Sequence, residues 1–360
     1  MEKVAEMNTK VVTCMEEDDK SCLAEAGSII KSGGLVAFPT ETVYGLGGDA
    51  LNPSSSKKIY AAKGRPSDNP LIVHICRWED ICKIVSDKPE HGRMLADAKK
   101  LADVFWPGPL TMILPKADAV PYETTGGLDT VAVRFPSHKT AQALIAQAGG
   151  YVAAPSANTS GKPSPTLAKY VLEDMDGRID MVIDGGEVGI GLESTIVDLT
   201  VIPAEILRPG YVTEKMLADV LGRVETDVTV LTDKSGQAPK APGMKYRHYA
   251  PKGELTIVSG EPGKVTAYIN RQIGKDRERG LKTGVIGTEE TVGAYLADVV
   301  KSAGSRTDEL SVARHLYSIL REFDDENVEI MYSEAFDSAG IGQAVMNRLL
   351  KAAGHRLIKV

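Results

Sequence analysis

The chain is poor in the residues from which metal centres and disulfide frameworks are built. Cys14, Cys22, Cys76 and Cys82 are the only four cysteines in 360 residues, and no two form a CxxC pair. Neither a zinc site nor a disulfide scaffold is indicated, and free thiols in a reducing compartment are the simpler reading. The six histidines are scattered and none belongs to an HExxH pattern, so a metalloprotease signature is missing, as is a recognisable catalytic triad. No apolar run reaches the ~18 residues that a membrane-spanning helix needs. Positive charge is not in excess either: 42 Lys and Arg stand against 49 Asp and Glu, a net charge of −7. No global basic field announces nucleic acid, and any RNA contact has to be a local patch. Glu2, Glu6, Glu16 and Glu17 near the N-terminus, with no apolar core segment among them, do not read as a secretory signal. A cytoplasmic protein is expected.

Nucleotide motifs are missing as well. "SANTSGKP" offers Gly161-Lys162, but a phosphate-binding P-loop needs glycine where Ser156 stands and a hydroxyl residue where Pro163 stands. "GEVGIGLES" supplies Gly189 and Gly191 but puts Ser194 at the third glycine of a dinucleotide fingerprint.

What is present is an ordinary globular composition, 42% hydrophobic and 25% charged, in a chain long enough for two domains. Helical spacing over 20–31 ends at Gly33-Gly34, before the strand-like "LVAFPT". Asn52-Pro53 open a helix that runs to Gly64. Further strand-like runs are "LIVHIC", "LTMILP", "VAVRFP", "YVAAPSA", "MVIDGG", "STIVDLT" and "AEILRPG", separated by helical patterns near 88–103, 137–147 and 166–175. This predicts one α/β domain over about 20–210, built round a large twisted mixed sheet. After a helix near 213–221, the stretch "TDKSGQAPKAPGMKYRHYAPKG" is rich in Pro, Gly and charge, and 211–252 reads as a linker. From 253 to 360 strands and helices alternate strictly, which predicts a smaller parallel α/β domain of Rossmann-like type.

The candidate chemistry lies in turns and at strand ends. "KGRPSDNPLIVHI" holds Lys63 and Arg65 two residues apart on a turn stiffened by Pro66 and Pro70. Like charges held together cost free energy unless an anion lies between them. Plain helix-end cations would complement the helix dipole, but they would not need the prolines. His74 interrupts "LIVHI", where a satisfied core histidine is the more common occupant. Arg134 interrupts "VAVRF", and a buried arginine needs an anion far more than a histidine does. "PSANTSGKPSPT" crowds small hydroxyls and Asn158 into a proline-rich turn, suited to donating to phosphates. "GLESTIVDL" places Glu193, Ser194 and Thr195 at a strand start, and Arg208 closes "ILRPG". Together these residues converge on an anionic ligand.

These stretches, with "FPTETVYGLGGDA" and "WPGPLTMIL", closely resemble the YrdC-like domain of the L-threonylcarbamoyladenylate synthases over about residues 20–210. The remainder, including "APGMKYRHYAP", is similar to the C-terminal domain of the family's long, two-domain, Sua-five-type form. The resemblance implies a YrdC-like mixed sheet with helices, and an enzyme that joins L-threonine, bicarbonate and ATP into threonylcarbamoyl-AMP, releasing pyrophosphate. The product would pass to a downstream transferase that makes threonylcarbamoyladenosine in tRNA. Carried over by motif position, the family implies Lys63 and Arg65 as catalytic cations. It implies Lys63, Arg65, Asn69, Thr130, Ser156, Asn158, Ser164, Arg208 and Tyr246 around ATP. Around L-threonine it implies Thr42, His74, Arg134, the backbone at Ala154, and Ser194. Both the carbamate and the triphosphate are anions, so catalysis should rest on positioning and charge neutralisation, with Mg²⁺ brought by the phosphates rather than by dedicated protein ligands. Residues 241–251 suit a lid over the nucleotide, with Tyr246 as its contact. The rival expectation is a YrdC-like protein that binds RNA or regulates through a bound nucleotide; a weak local tRNA contact is compatible with either.

Overall fold

In the computed structural model, residues 8–14, 20–227, 241, 248–337 and 339–360 are described. They form two sheets. The larger has eleven strands, in the spatial order Lys10–Thr13, Met181–Asp184, Val36–Phe38, Gly45–Asp49, Val152–Ala153, Ile72–His74, Thr130–Arg134, Leu110–Pro115, Thr195–Asp198, Ala204–Arg208, Val224–Thr226. Five of its neighbouring pairs are parallel and five antiparallel, so the sheet is mixed, as expected. The helix Glu214–Leu221 and the strand Val224–Thr226 fall in the segment read as linker, yet that strand pairs in parallel with Ala204–Arg208 and extends the large sheet.

Three apolar clusters cover the faces of this sheet, the smallest formed by Ile72, Ile113, Ala132, Ile196, Leu207 and Ala241. Tyr44, Leu46, Ile59, Leu71, Val73, Leu110, Met112 and Val133 lie in one, with the helices Pro53–Lys63 and Gly92–Phe105. Val36, Phe38, Val152, Met181 and Ile183 lie in another, under the helices Lys20–Lys31 and Lys139–Gln147. Successive strand residues go to different clusters, as the pleat demands: Val36 and Phe38 lie opposite Ala37, and Ala132 lies opposite Val131 and Val133.

The strand Gly45–Asp49 escapes sequence reading because "GLGGD" has no β-branched or aromatic residue. Packing explains it: a Cβ on Gly47 would come within 2.9 Å of both Phe38 and Val152. The neighbouring side chains occupy the room that a β-former would need.

The smaller sheet has five strands, ordered Val299–Ser302, Thr283–Gly287, Ile330–Glu334, Glu254–Ser259, Leu357–Lys359, all parallel. Leu255, Ile257, Ile286 and Met331 pack against the helices Glu309–Asp325 and Gly340–Ala352, while Val258, Val285 and Tyr332 pack against Pro262–Glu278. The sheet is doubly wound, as expected. Its order differs from the dinucleotide-binding one, because its fourth strand in the chain lies between the second and the first.

Candidate functional site

One cleft gathers most of the expected residues at the ends of the central strands. It is lined by Arg65, His74, Arg134, Ala154, Ser156, Asn158, Ser164 and Arg208, together with Thr40, Val43, Gly45, Lys162, Glu193, His248 and Tyr249.

The turn after the helix Pro53–Lys63 builds one wall. Gly64 caps the helix in the left-handed region at φ 60°, which releases the chain into Arg65. The Arg65 guanidinium donates to the Asn69 carbonyl (3.2 Å), the Asn69 Oδ1 (2.6 Å) and the Pro70 carbonyl (3.1 Å). Asn69 therefore acts on the cleft through Arg65, and it does not line the cleft itself. The two prolines hold the backbone against which the guanidinium is clamped. Lys63 lies behind this wall. It is 2% exposed, and its ammonium donates to the carbonyls of Ser156 and Asn158. Burial first, and then Arg65, push its pKa well below the usual lysine range. The close pair of cations is thus arranged in two layers: Lys63 shapes the Ser-x-Asn turn from below, and Arg65 faces the cleft.

The same turn is tied internally. Ser156 Oγ donates to Asn158 Oδ1 at 2.6 Å, and Asn158 Nδ2 donates to the carbonyls of Thr159 and Lys162.

Arg208 and Ser194 form the next unit. Arg208 donates to the Ser194 carbonyl (3.0 Å) and to its Oγ (3.1 Å), while that hydroxyl also shares a hydrogen bond with Thr111. Glu193, beside them, accepts from Ser164 Oγ at 2.5 Å. Its other partners come from the second domain: Tyr317 OH at 2.9 Å and Arg348 Nε at 3.0 Å. Burial opposes its charge, but Arg348 and Arg208 hold the Glu193 carboxyl down at about 2. Arg321, also from the second domain, donates to the Pro163 carbonyl and pairs with Asp174 at 2.7 Å, which fixes the loop carrying Ser164. Sequence reasoning noted Glu193 but gave it no role. Tyr317, Arg321 and Arg348 carried no local signal, since each reads as an ordinary position in a helix.

The opposite end of the cleft is built on the strands Ile72–His74 and Thr130–Arg134, where His74 and Arg134 stand side by side in register. His74 bonds through Nδ1 to the Ile72 carbonyl at 3.1 Å. Burial, and then Arg134, lower its pKa to about 3, so it is neutral at physiological pH. Arg134 is 4% exposed and its Nη2 lies 2.8 Å from Glu41 Oε1. This contact is ionic without hydrogen-bond geometry: Arg134 Nε and Nη2 and both Glu41 oxygens have no hydrogen-bond partner. Glu41 was missed because it reads as one more polar residue in "FPTETVYGL". Thr42, next to Glu41 in the chain, is fully buried, its hydroxyl bonded to that of Thr40 at 2.9 Å. Thr130 starts the strand that Arg134 ends and does not line the cleft.

Tyr246 lies outside the described residues. Its neighbours His248 and Tyr249 do line the cleft: Tyr249 stacks on Tyr317 with centroids 5.1 Å apart, and the buried His248 has an unpartnered Nε2.

A family model described as "Telomere recombination" matches residues 28–210, and one described as "Threonylcarbamoyl-AMP synthase, C-terminal domain" matches 212–354. A threonylcarbamoyl-AMP synthase from Pyrococcus abyssi is 47% identical over 352 residues, covering 98% of this chain and all of its own length. One from Bacillus subtilis is 47% identical over 338 residues, 94% of each chain. Among solved structures, a crystal structure of P. abyssi Sua5 complexed with L-threonine matches at a TM-score of 0.91 and 46% identity, covering 98% of this chain and 100% of that one.

Proposed function

The chain belongs to the threonylcarbamoyl-AMP synthase family, and on that premise we propose that it is a nucleotidyltransferase making L-threonylcarbamoyl-AMP and pyrophosphate from L-threonine, bicarbonate and ATP. The observation that carries this reading is the polarity of the cleft. A buried guanidinium with unpartnered nitrogens, Arg134, stands beside neutral His74 at one end, and the Arg65, Arg208 and Ser-x-Asn group stands at the other.

In this reading Arg134 takes the threonine carboxylate on its planar fork, with His74, Thr42, Ser194 and the Ala154 backbone shaping the rest of that subsite. Arg65, Arg208, Ser156, Asn158 and Ser164 hold the triphosphate, supported by Asn69, with Thr130 and Tyr246 as outlying contacts. Lys63 contributes by holding the Ser156–Asn158 turn to shape. The threonine amine and bicarbonate condense to a carbamate with loss of water, and the carbamate carboxylate oxygen attacks the α-phosphorus of ATP as the bond to pyrophosphate breaks. Two anions must meet for this, so fixed positive charge and alignment are what the chain supplies. Magnesium would neutralise further phosphate charge. Glu193, the carboxylate lining the cleft, is already engaged by Ser164, Tyr317 and Arg348, so the ion is assigned to the phosphates.

The division into a catalytic domain at 20–210, a linker and lid at 211–252, and a C-terminal domain at 253–360 belongs to the same proposal; the two separate sheets support two units, and the strands Lys10–Thr13 and Val224–Thr226 widen the first beyond 20–210. Among the described residues no helix is long and apolar enough to cross a membrane. A cytoplasmic enzyme that hands its labile product to a transferase of tRNA modification completes the reading. The test is pyrophosphate release with threonine and bicarbonate omitted in turn, in the absence of tRNA. Release that needs both supports the synthase. ATP binding without release, or release only with tRNA, refutes it in favour of a nucleotide- or RNA-binding protein.

A further inference from the structure

The geometry points to Glu41 as the residue that binds the α-ammonium of the amino-acid substrate. This rests on the reading of Arg134 as the carboxylate site.

Glu41 sits in the turn between the strands Val36–Phe38 and Gly45–Asp49. The turn is pinned on both sides. Thr40 Oγ1 accepts from the amides of Thr42 and Val43 and donates to the Val43 carbonyl. The carbonyls of Glu41 and Thr42 accept from the amides of Ile190 and Gly191. The backbone is therefore held while the side chain, 12% exposed, meets Arg134 from just behind the cleft lining.

Two opposite charges thus lie in one nearly dry pocket, each short of hydrogen bonds. A buried charge without hydrogen bonds is costly, and burial gains little unless something supplies them. Arg134 Nε and Nη2 can donate, and Glu41 Oε1 and Oε2 can accept. A zwitterionic α-amino acid carries the matching set: a carboxylate that accepts from a guanidinium fork and an ammonium with three N–H donors, one carbon apart. The pair is the electrostatic complement of that zwitterion. Once the amine has become a carbamate, its remaining N–H can still donate to Glu41.

Another role would be a stand-in, with Glu41 occupying Arg134 until the substrate carboxylate displaces it. The pinned turn argues against this. A displaced carboxylate would stay on the same side, near the half-buried His138, whose Nδ1 has no hydrogen-bond partner. The ligand's ammonium resolves that position; displacement does not.

The test is calorimetric titration of the full chain with L-threonine and with β-hydroxybutyrate, which is threonine without its amine. Wild type should prefer threonine by at least about tenfold, roughly the worth of one charge-assisted contact. Glu41→Gln should lose most of that preference by weakening threonine alone, and Glu41→Asp should retain part of it. Equal affinity of wild type for the two ligands overturns the proposal without any variant. So does a Glu41→Gln protein that weakens both ligands equally, which would make Glu41 a support for Arg134. Tighter binding of both would make it the stand-in. Arg134→Ala separates the premise from the proposal: it should weaken both ligands, and unchanged binding of both would refute the amino-acid reading of this end of the cleft.

Discussion

The two ends of the cleft treat their charges in opposite ways. At the phosphate end the charged groups are engaged by the protein: Lys63 by two carbonyls, Arg65 by Asn69 and Pro70, Arg208 by Ser194, Glu193 by Ser164, Tyr317 and Arg348. At the amino-acid end Arg134 and Glu41 touch as ions but leave their hydrogen-bonding capacity unspent. The first arrangement is a framework, set before any ligand arrives, of the kind that stabilises developing charge without reorganisation. The second stores a cost that a ligand can relieve. Substitutions should therefore separate: those at the framework should act on stability, and those at the unspent pair on binding.

The largest effect expected is at Arg348. Its side chain is fully buried and pairs with Glu193 across the two domains. Arg348→Met leaves the buried Glu193 carboxylate with only the hydroxyls of Ser164 and Tyr317 as side-chain hydrogen-bond donors and should cost about 3–5 kcal/mol in chemical denaturation. The double variant Arg348→Met/Glu193→Gln should recover much of the loss, because the stranded charge is gone. No recovery would mean that the arginine acts through packing alone.

Arg134→Met reverses the pattern. Because Arg134→Met alone strands the Glu41 carboxylate, stability is read on Arg134→Met/Glu41→Gln, which should be as stable as wild type or more so. In Arg134→Met, threonine KM should rise by the equivalent of about 2–5 kcal/mol while ATP KM changes little. A large stability loss in the double variant, or equal weakening of both substrates by Arg134→Met, would erase the contrast between the ends.

Next in size is an acid slope. Burial first, with Arg134 behind it for His74 and Arg65 for His248, holds both imidazoles at about 3. The unfolded chain takes up these protons below about 6.5. Between those values the unfolded state binds more protons, so stability falls as pH drops. Glu193, held at about 2, adds a loss in the same direction as the pH falls below the ordinary carboxylate range. His74→Gln should reduce the slope between pH 6 and 5 by about 1.4 kcal/mol per pH unit, one proton's worth. Urea midpoints at several pH values measure it, and an unchanged slope would show that His74 is charged in the fold.

The sequence made one end of this cleft more legible than the other. Arg65, Ser156, Asn158 and Arg208 stand in motifs whose prolines and small hydroxyls advertise a turn, and the structure brings all four into one cleft. Glu41 gave no such signal, because what distinguishes it is a contact with Arg134, 93 residues away in the chain. Tyr317, Arg321 and Arg348 were invisible for the same reason: an amphipathic helix needs polar residues somewhere, and nothing local marks those that enter another domain. The parallel second sheet was legible from alternation. Its strands Val299–Ser302 and Leu357–Lys359, and the strand Gly45–Asp49 of the first, were not, since an edge position or a run of glycines weakens the β pattern.

The smallest effect expected is at Asn69, and it tests whether the framework is shared among many bonds. Asn69 is 1% exposed and does not line the cleft. Its Oδ1 accepts from Arg65 Nη2 at 2.6 Å, but two backbone carbonyls, its own and that of Pro70, accept from the same guanidinium. Asn69→Ala removes the side-chain bond alone. The backbone between Pro66 and Pro70 stays in place, because the Asn69 amide still donates to the Pro66 carbonyl and Leu71 to the Thr124 carbonyl. One charge-assisted hydrogen bond with backbone substitutes at hand should cost about 1 kcal/mol or less, read as an ATP KM raised by up to about fivefold with threonine KM unchanged. Steady-state pyrophosphate release at varied ATP measures it. A collapse of activity as severe as that of Arg134→Met would show that Asn69 touches the nucleotide directly, and the phosphate end would then hold an unspent group of its own.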